Sequence, residues 1–280
     1  MGFFRVVEIL PPLFPASRDK GDHIDIEQKI ERFLEEARSI REHADLVLVA
    51  DVKDPRMLKF STLQAAAMIK DRLRMDAAPV IVARDFSRLQ LLSTVLTGLS
   101  LDLPYMMLAW GDDYPRNARS TNVRDFGTLE DAIREAALIG TRARAATKLV
   151  APVNLTSLAT PRGLSTARGR LRAGAEYLLA QPPTTDPETF VAHASMLERA
   201  DLKEKVLLNV FPFRDAADLK NCESYFGWRL PKRLHRASSE GGGTLFELES
   251  DVIRSLRSGG FPGVYLNTRG IPGVAEALLK

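Results

Sequence analysis

The sequence predicts an α/β protein folded as a single (β/α)8 TIM barrel spanning residues 1–280. Three observations carry that prediction: short apolar runs alternate with amphipathic stretches throughout, eight such runs can be counted, and no Pro/Gly/Ser-rich linker divides the chain. Runs such as Asp45–Asp51 (DLVLVAD) and Lys205–Phe211 (KVLLNVF) are continuously apolar, as strands buried on both faces must be. An open doubly wound sheet would favour a glycine-rich phosphate turn after its first strand. Here the first strand runs into Pro11–Pro12.

Phe3–Leu10 is the first strand, and Ile24–Ala44 follows as a helix with Ile26, Ile30, Phe33, Leu34, Ala37 and Ile40 near helical spacing. Strand Asp45–Asp51 leads to helix Thr62–Leu73, strand Pro79–Ala83 to helix Ser87–Leu99, and strand Pro104–Trp110 to a polar loop reaching Gly127. Thr128 caps a helix to Gly140 that carries Glu130 and Asp131 in its first turn. The second half repeats the pattern: strand Lys148–Val153, helix Ser165–Ala173, strand Tyr177–Ala180, and a helix opened by Asp186 with Pro187 at its start. Strand Lys205–Phe211, helices Asp215–Phe226 and Leu245–Arg257, strand Gly263–Asn267 and a helix after Pro272 complete the chain.

Composition narrows the function classes. Apolar residues make up 45% and charged residues 27%, a globular balance that argues against disorder or a coiled coil. No stretch approaches the ~18–20 uncharged apolar residues of a membrane span, and the first residues already carry Arg5 and Glu8 without a signal-peptide core, so a cytoplasmic location is expected. The net charge of +3 is too small to imply nucleic acid, though it suits a small anionic ligand. The single Cys222 and the dispersed His23, His43, His193 and His235 share no metal-ligand spacing, so no metal is expected. Zinc-protease, P-loop and nucleophile-elbow motifs are absent.

In a barrel the chemistry sits at the carboxyl ends of the strands, so polar residues there are the candidates. Glu8 lies between apolar neighbours before two prolines, where a desolvated carboxyl can act as a general acid or a paired one can be structural. Asp112 follows Trp110-Gly111 at the end of the fourth strand, the glycine permitting close backbone approach. Gln181 closes the sixth strand as a neutral donor–acceptor amide. Tyr265 and Arg269 straddle the end of the eighth and could stack a ring and hold a carboxylate. Met106 and Met107 read as core. Arg229, Lys232, Arg233, His235 and Arg236 read as a solvated basic loop, with an anion clamp as the minor reading.

Taken in order, these positions resemble the methylenetetrahydrofolate reductase family. The residues carrying the resemblance are Glu8-Ile9-Leu10-Pro11-Pro12, Trp110-Gly111-Asp112, Ala173-Gly174-Ala175 with Gln181, Phe211-Pro212, Arg229-Leu230-Pro231, and Tyr265 with Arg269. The resemblance implies an oxidoreductase that reduces 5,10-methylene-tetrahydrofolate, or a related methylene-pterin, to the 5-methyl form. In it Glu8 is the general acid, Asp112 stabilises the developing cation, and Gln181, Tyr265 and Arg269 bind the pterin substrate, with Trp110 and Gly111 on the cofactor side. It also implies a hydride donor, either reduced nicotinamide (NADH or NADPH) or deazaflavin, and FAD. Several flavin-side positions depart from the family: Val80-Ile81-Val82 ends the third strand, Trp110 stands where an arginine is usual, and Arg172 precedes Ala-Gly-Ala. FAD is therefore expected to bind differently, weakly or not at all. The alternatives are a non-redox pterin-binding methyltransferase-type barrel and a non-catalytic assembly protein, with homo-oligomerisation left open.

Overall fold

The computed structural model describes residues 2–16, 25–52, 54, 56–111, 123–240 and 242–280. Eight parallel strands close into a barrel: β1 (Phe4–Ile9), β2 (Leu46–Val49), β3 (Ala77–Val82), β4 (Tyr105–Ala109), β5 (Lys148–Asn154), β6 (Ala175–Gln181), β7 (Val206–Val210) and β8 (Gly263–Asn267). The ring closes where β1 pairs with β8, from Phe4 beside Gly263 to Glu8 beside Asn267, and with β2, from Val6 beside Leu46 to Ile9 beside Val49. The (β/α)8 expectation is met.

The surrounding helices are α1 (Ile26–Ser39), α2 (Thr62–Met68, continued by a π turn over Ile69–Leu73), α3 (Arg88–Ser100), α4 (Leu129–Ala143), α5 (Pro161–Ala173), α6 (Pro187–Arg199), α7 (Ala216–Phe226), α8 (Lys232–Glu240), α9 (Gly242–Ser258) and α10 (Val274–Leu279). Their starts are set locally. Side chains of Asp25, Ser61, Ser87, Thr128, Thr160, Asp186 and Asp215 each accept a backbone N–H of the first helical turn, and Ser87 with Gln90 forms a reciprocal capping box. The caps expected at Thr128 and Asp186 are in place.

Several bounds shift by a few residues, α5 beginning at Pro161 and β6 at Ala175, and two differences have an instructive cause. The basic segment read as a solvated loop contains α8, which buries Leu234, Ala237 and Ser238 while its cationic side chains face outward. Its apolar stripe is only a few residues wide, too short for periodicity to stand out from the charges. Strand β3 begins at Ala77, earlier than expected, because alanines carry little strand propensity and are recruited here by burial alone.

Alternation along the strands divides the core. Val6, Leu48, Val80, Val82, Met107, Val150, Leu179, Leu207 and Tyr265 pack together in one cluster, the barrel lumen, whereas Val7, Val47, Ile81, Met106, Leu178 and Leu208 join the larger cluster between sheet and helices. The amino-terminal end of the lumen is plugged by aromatic rings, Phe4 lying 5.7 Å from Tyr105 and 5.9 Å from Tyr177. Among the described residues no helix is long and apolar enough to cross a membrane.

Candidate active site

Because Phe4 and Val6 point into the lumen, Glu8 does too, one step nearer the mouth. On β8 the same parity turns Tyr265 and Asn267 inward, and the register of the closing seam brings both to Glu8. The Tyr265 hydroxyl donates to Glu8 Oε2 and the Asn267 Nδ2 to Oε1. Thr268 completes the grip on the backbone, its Oγ1 donating to the Glu8 carbonyl at 2.9 Å. Gln181, at the end of β6, stands near enough to the Tyr265 hydroxyl to bear on its titration. Residues from the first and last strands thus share one hydrogen-bonded cluster at the mouth, with Gln181 of the sixth beside it.

The protonation of Glu8 follows from this setting. Its side chain is partly accessible, yet so densely surrounded by protein atoms that lost hydration pushes its pKa up to about 7, against the lowering effect of the Tyr265 hydrogen bond. Burial and the neighbouring carboxylate push the Tyr265 phenol well above its ordinary value, so it stays a donor. Asn267 cannot turn its amide the other way, since its Oδ1 accepts the Arg269 backbone N–H at 3.0 Å.

The remaining expected site residues are distributed as follows. The Arg269 guanidinium is occupied by Asp218, which takes one nitrogen on each carboxylate oxygen at 2.6 Å. Trp110 packs against the cluster between sheet and helices, and its carbonyl accepts the Arg84 N–H at 3.2 Å. Gly111, at φ +78°, is pressed so close to β3 that a Cβ would stand 2.2 Å from Val82 Cγ1, which explains the glycine by packing and backbone alone. Asp112 and His23 lie outside the described residues.

Two features of the mouth escaped the sequence reading. The first is a charge quartet: Arg84, 2% exposed, meets Asp51 at 3.1 Å and Asp85 at 3.0 Å, while Lys59 Nζ bridges the same carboxylates at 2.6 and 2.9 Å. Desolvation raises the pKa of Asp51, and the two cations hold that of Asp85 low. Asp51 and Arg84–Asp85 follow the ends of β2 and β3 after one intervening residue, so the strand-end rule applied to Glu8 would have found them. The second is Asn209, inward on β7 beside Tyr265, fully buried with neither side-chain amide atom partnered among the described residues. The parity Leu207–Asn209 was its signal. Among the described residues no group of three or more His, Cys, Asp or Glu is placed to hold a metal ion.

Comparison with known proteins bears on the family. No family model matches the chain, and no curated protein matches its sequence. Solved structures do resemble its fold. Oxaloacetate acetylhydrolase in complex with the inhibitor 3,3-difluorooxalacetate aligns at TM-score 0.54 and 12% identity over 98% of this chain and 78% of that one. A second oxaloacetate acetylhydrolase structure gives 0.55 and 13% over 96% and 76%. The enzyme 2,3-dimethylmalate lyase, a PEP mutase/isocitrate lyase superfamily member, gives 0.51 and 14% over 99% and 90%. The reductase resemblance is thereby corrected. These neighbours are a hydrolase and a lyase, and at such identities they establish the shared barrel and no more.

The expected methylene-tetrahydrofolate reduction and the oxidoreductase reading fall with that resemblance. Its short motifs have reasons of their own in the barrel. Pro11 and Pro12 are buried where β1 ends, Gly111 fits under β3, and Gly174 (φ +120°) ends α5 where a Cβ would stand 2.8 Å from the Ala137 Cβ. Strand ends and helix stops of this kind recur in any barrel and carry no substrate. The pterin substrate, the nicotinamide or deazaflavin donor and FAD were implied by the resemblance alone.

Proposed function

We propose that this chain is a barrel enzyme of lyase or hydrolase type, working without redox chemistry on a small oxo- or hydroxy-acid, with Glu8 as the group that moves a proton. The observation that carries this reading is the Glu8 carboxyl, set at about 7 by burial and held by two donors at the mouth. A carboxyl with that midpoint is present in both protonation states near neutral pH, as a general acid–base requires. The fold neighbours, an acetylhydrolase of oxaloacetate and a lyase of dimethylmalate, support the reaction class and the size of the substrate.

On a 2-hydroxy diacid the ionised Glu8 takes the hydroxyl proton as the carbon–oxygen bond becomes a carbonyl. The adjacent carbon–carbon bond breaks, and its electron pair leaves with the second fragment as an enolate, which is then protonated. Tyr265 and Asn267 hold the carboxylate in position for the first step and stabilise its charge. The mouth also offers the Gln181 amide and the charge-balanced quartet for orienting polar groups.

The test incubates wild type and Glu8→Gln with oxaloacetate, 2,3-dimethylmalate and a panel of related 2-oxo and 2-hydroxy diacids, reading fragment acids by proton NMR. Cleavage of at least one substrate by wild type, reduced roughly 10²–10⁴-fold in Glu8→Gln, is expected. Equal rates in both proteins, or no turnover across the panel, overturns the reading.

A further inference from the structure

We infer that Asp218 is a positioning residue for the Glu8 centre: by clamping Arg269 it fixes the turn whose backbone N–H orients Asn267 toward Glu8. The inference rests on the reading of Glu8 as the proton-transfer group.

The chain of contacts is continuous. Asp218, in the first turn of α7, accepts both guanidinium arms of Arg269 at 2.6 Å and the Arg214 N–H at 3.0 Å. Arg269 Nη1 also donates to the Pro212 carbonyl at 3.0 Å, and the guanidinium lies 4.8 Å from the Phe211 ring centroid. The two side chains are 18% and 15% exposed, so the pair is shielded and the cation is committed to protein groups.

This clamp holds an unfavourable backbone. Arg269 sits at φ +54° and Gly270 at +66°, two successive left-handed residues of which only the second is a glycine. That turn aims the Arg269 N–H at Asn267 Oδ1 at 3.0 Å. An asparagine amide has little intrinsic preference between its two orientations, and the network around it decides. With Oδ1 engaged, Nδ2 donates to the Glu8 carboxylate; released, the amide can turn its oxygen toward Glu8 and accept from the protonated carboxyl instead, which favours the acid form.

Charge alone predicts the opposite sign, which makes the idea testable. The groups facing the pair are Glu249, Arg214 and Cys222. Removing the Asp218 charge leaves Arg269 less compensated, and by electrostatics alone this favours ionised Glu8 and moves its titration downward. Loss of the Asn267 donor moves it upward.

The experiment titrates the full-length chain carrying ¹³C-carboxyl glutamate, with the Glu8 signal assigned by its absence in Glu8→Gln. In Asp218→Asn the Glu8 midpoint is expected to rise by about one pH unit, as for loss of a hydrogen bond to a charged group, and Asp218→Glu is expected to restore it. An unchanged or lowered midpoint in Asp218→Asn overturns the inference. If that variant does not fold, Arg269→Lys, which keeps the cation and removes the two-pronged contact, is judged by the same sign. A wild-type midpoint in the ordinary carboxylate range sinks the proton-transfer reading of Glu8 separately, whatever the sign of the difference between variants.

Discussion

Tyr265 and Glu8, 257 positions apart in the chain, share a hydrogen bond across the seam where the last strand closes on the first. The contact exists only in the closed barrel, and it links the ring that fills the upper lumen to the carboxyl with the raised pKa.

Tyr265→Phe isolates that bond, since the ring keeps its packing among the lumen residues. Losing a donor to the carboxylate should raise the Glu8 midpoint above 7. It should also cost about 1–3 kcal/mol at pH 8, where Glu8 is ionised, and less at pH 5, where it is protonated. Urea unfolding at the two pH values measures the difference. An equal loss at both would mean that the hydroxyl acts through something other than its bond to the Glu8 carboxylate.

Glu249 supplies a pH dependence. It is 2% exposed in α9, and burial pushes its pKa up to about 8, opposed chiefly by the Phe213 N–H that it accepts at 2.9 Å. Its folded midpoint lies above the unfolded one, so the folded chain binds more protons between them. Stability is then greatest below the unfolded value and is lost as pH rises through about 8. Glu8 adds the same sign up to about 7. Glu249→Gln keeps an acceptor for the Phe213 N–H and removes the charge. The slope of stability against pH from 5 to 8 should flatten and the variant should be the more stable at pH 8. Parallel thermal-melting curves for the two proteins across that range would contradict this.

Arg84 is the buried member of the quartet, and Arg84→Met leaves Asp51 and Asp85 with Lys59 as their cation among the described residues. Breaking a buried ion pair from one side typically costs about 3–5 kcal/mol, because a desolvated charge loses its partner. A loss of less than about 1 kcal/mol in unfolding free energy, measured by urea denaturation, would show that water or Lys59 already satisfies both carboxylates.

Much of this molecule was legible in its residues. The eight strands could be read from continuous apolar runs because barrel strands are buried on both faces, and the caps at Thr128 and Asp186 because capping is local chemistry. Glu8, Gln181 and Tyr265 were picked out as polar residues at strand ends, and the barrel brings these three together. Asn267 and Asn209 follow the same inward parity and were passed over, since an asparagine in a strand looks like an edge until its face is known. Arg269 was assigned to a ligand because its partner Asp218 lies 51 positions away, in an element whose placement local sequence does not encode.

Local patterning therefore determined the alternation of strands and helices and, through it, the barrel and the end at which its polar residues gather. Tertiary structure alone decided which of them touch, which cation is consumed by a carboxylate, and where Glu8 titrates. Desolvation and hydrogen-bond direction are properties of a closed, three-dimensional surround. A strand knows its own periodicity, but not the neighbour that ring closure will set beside it.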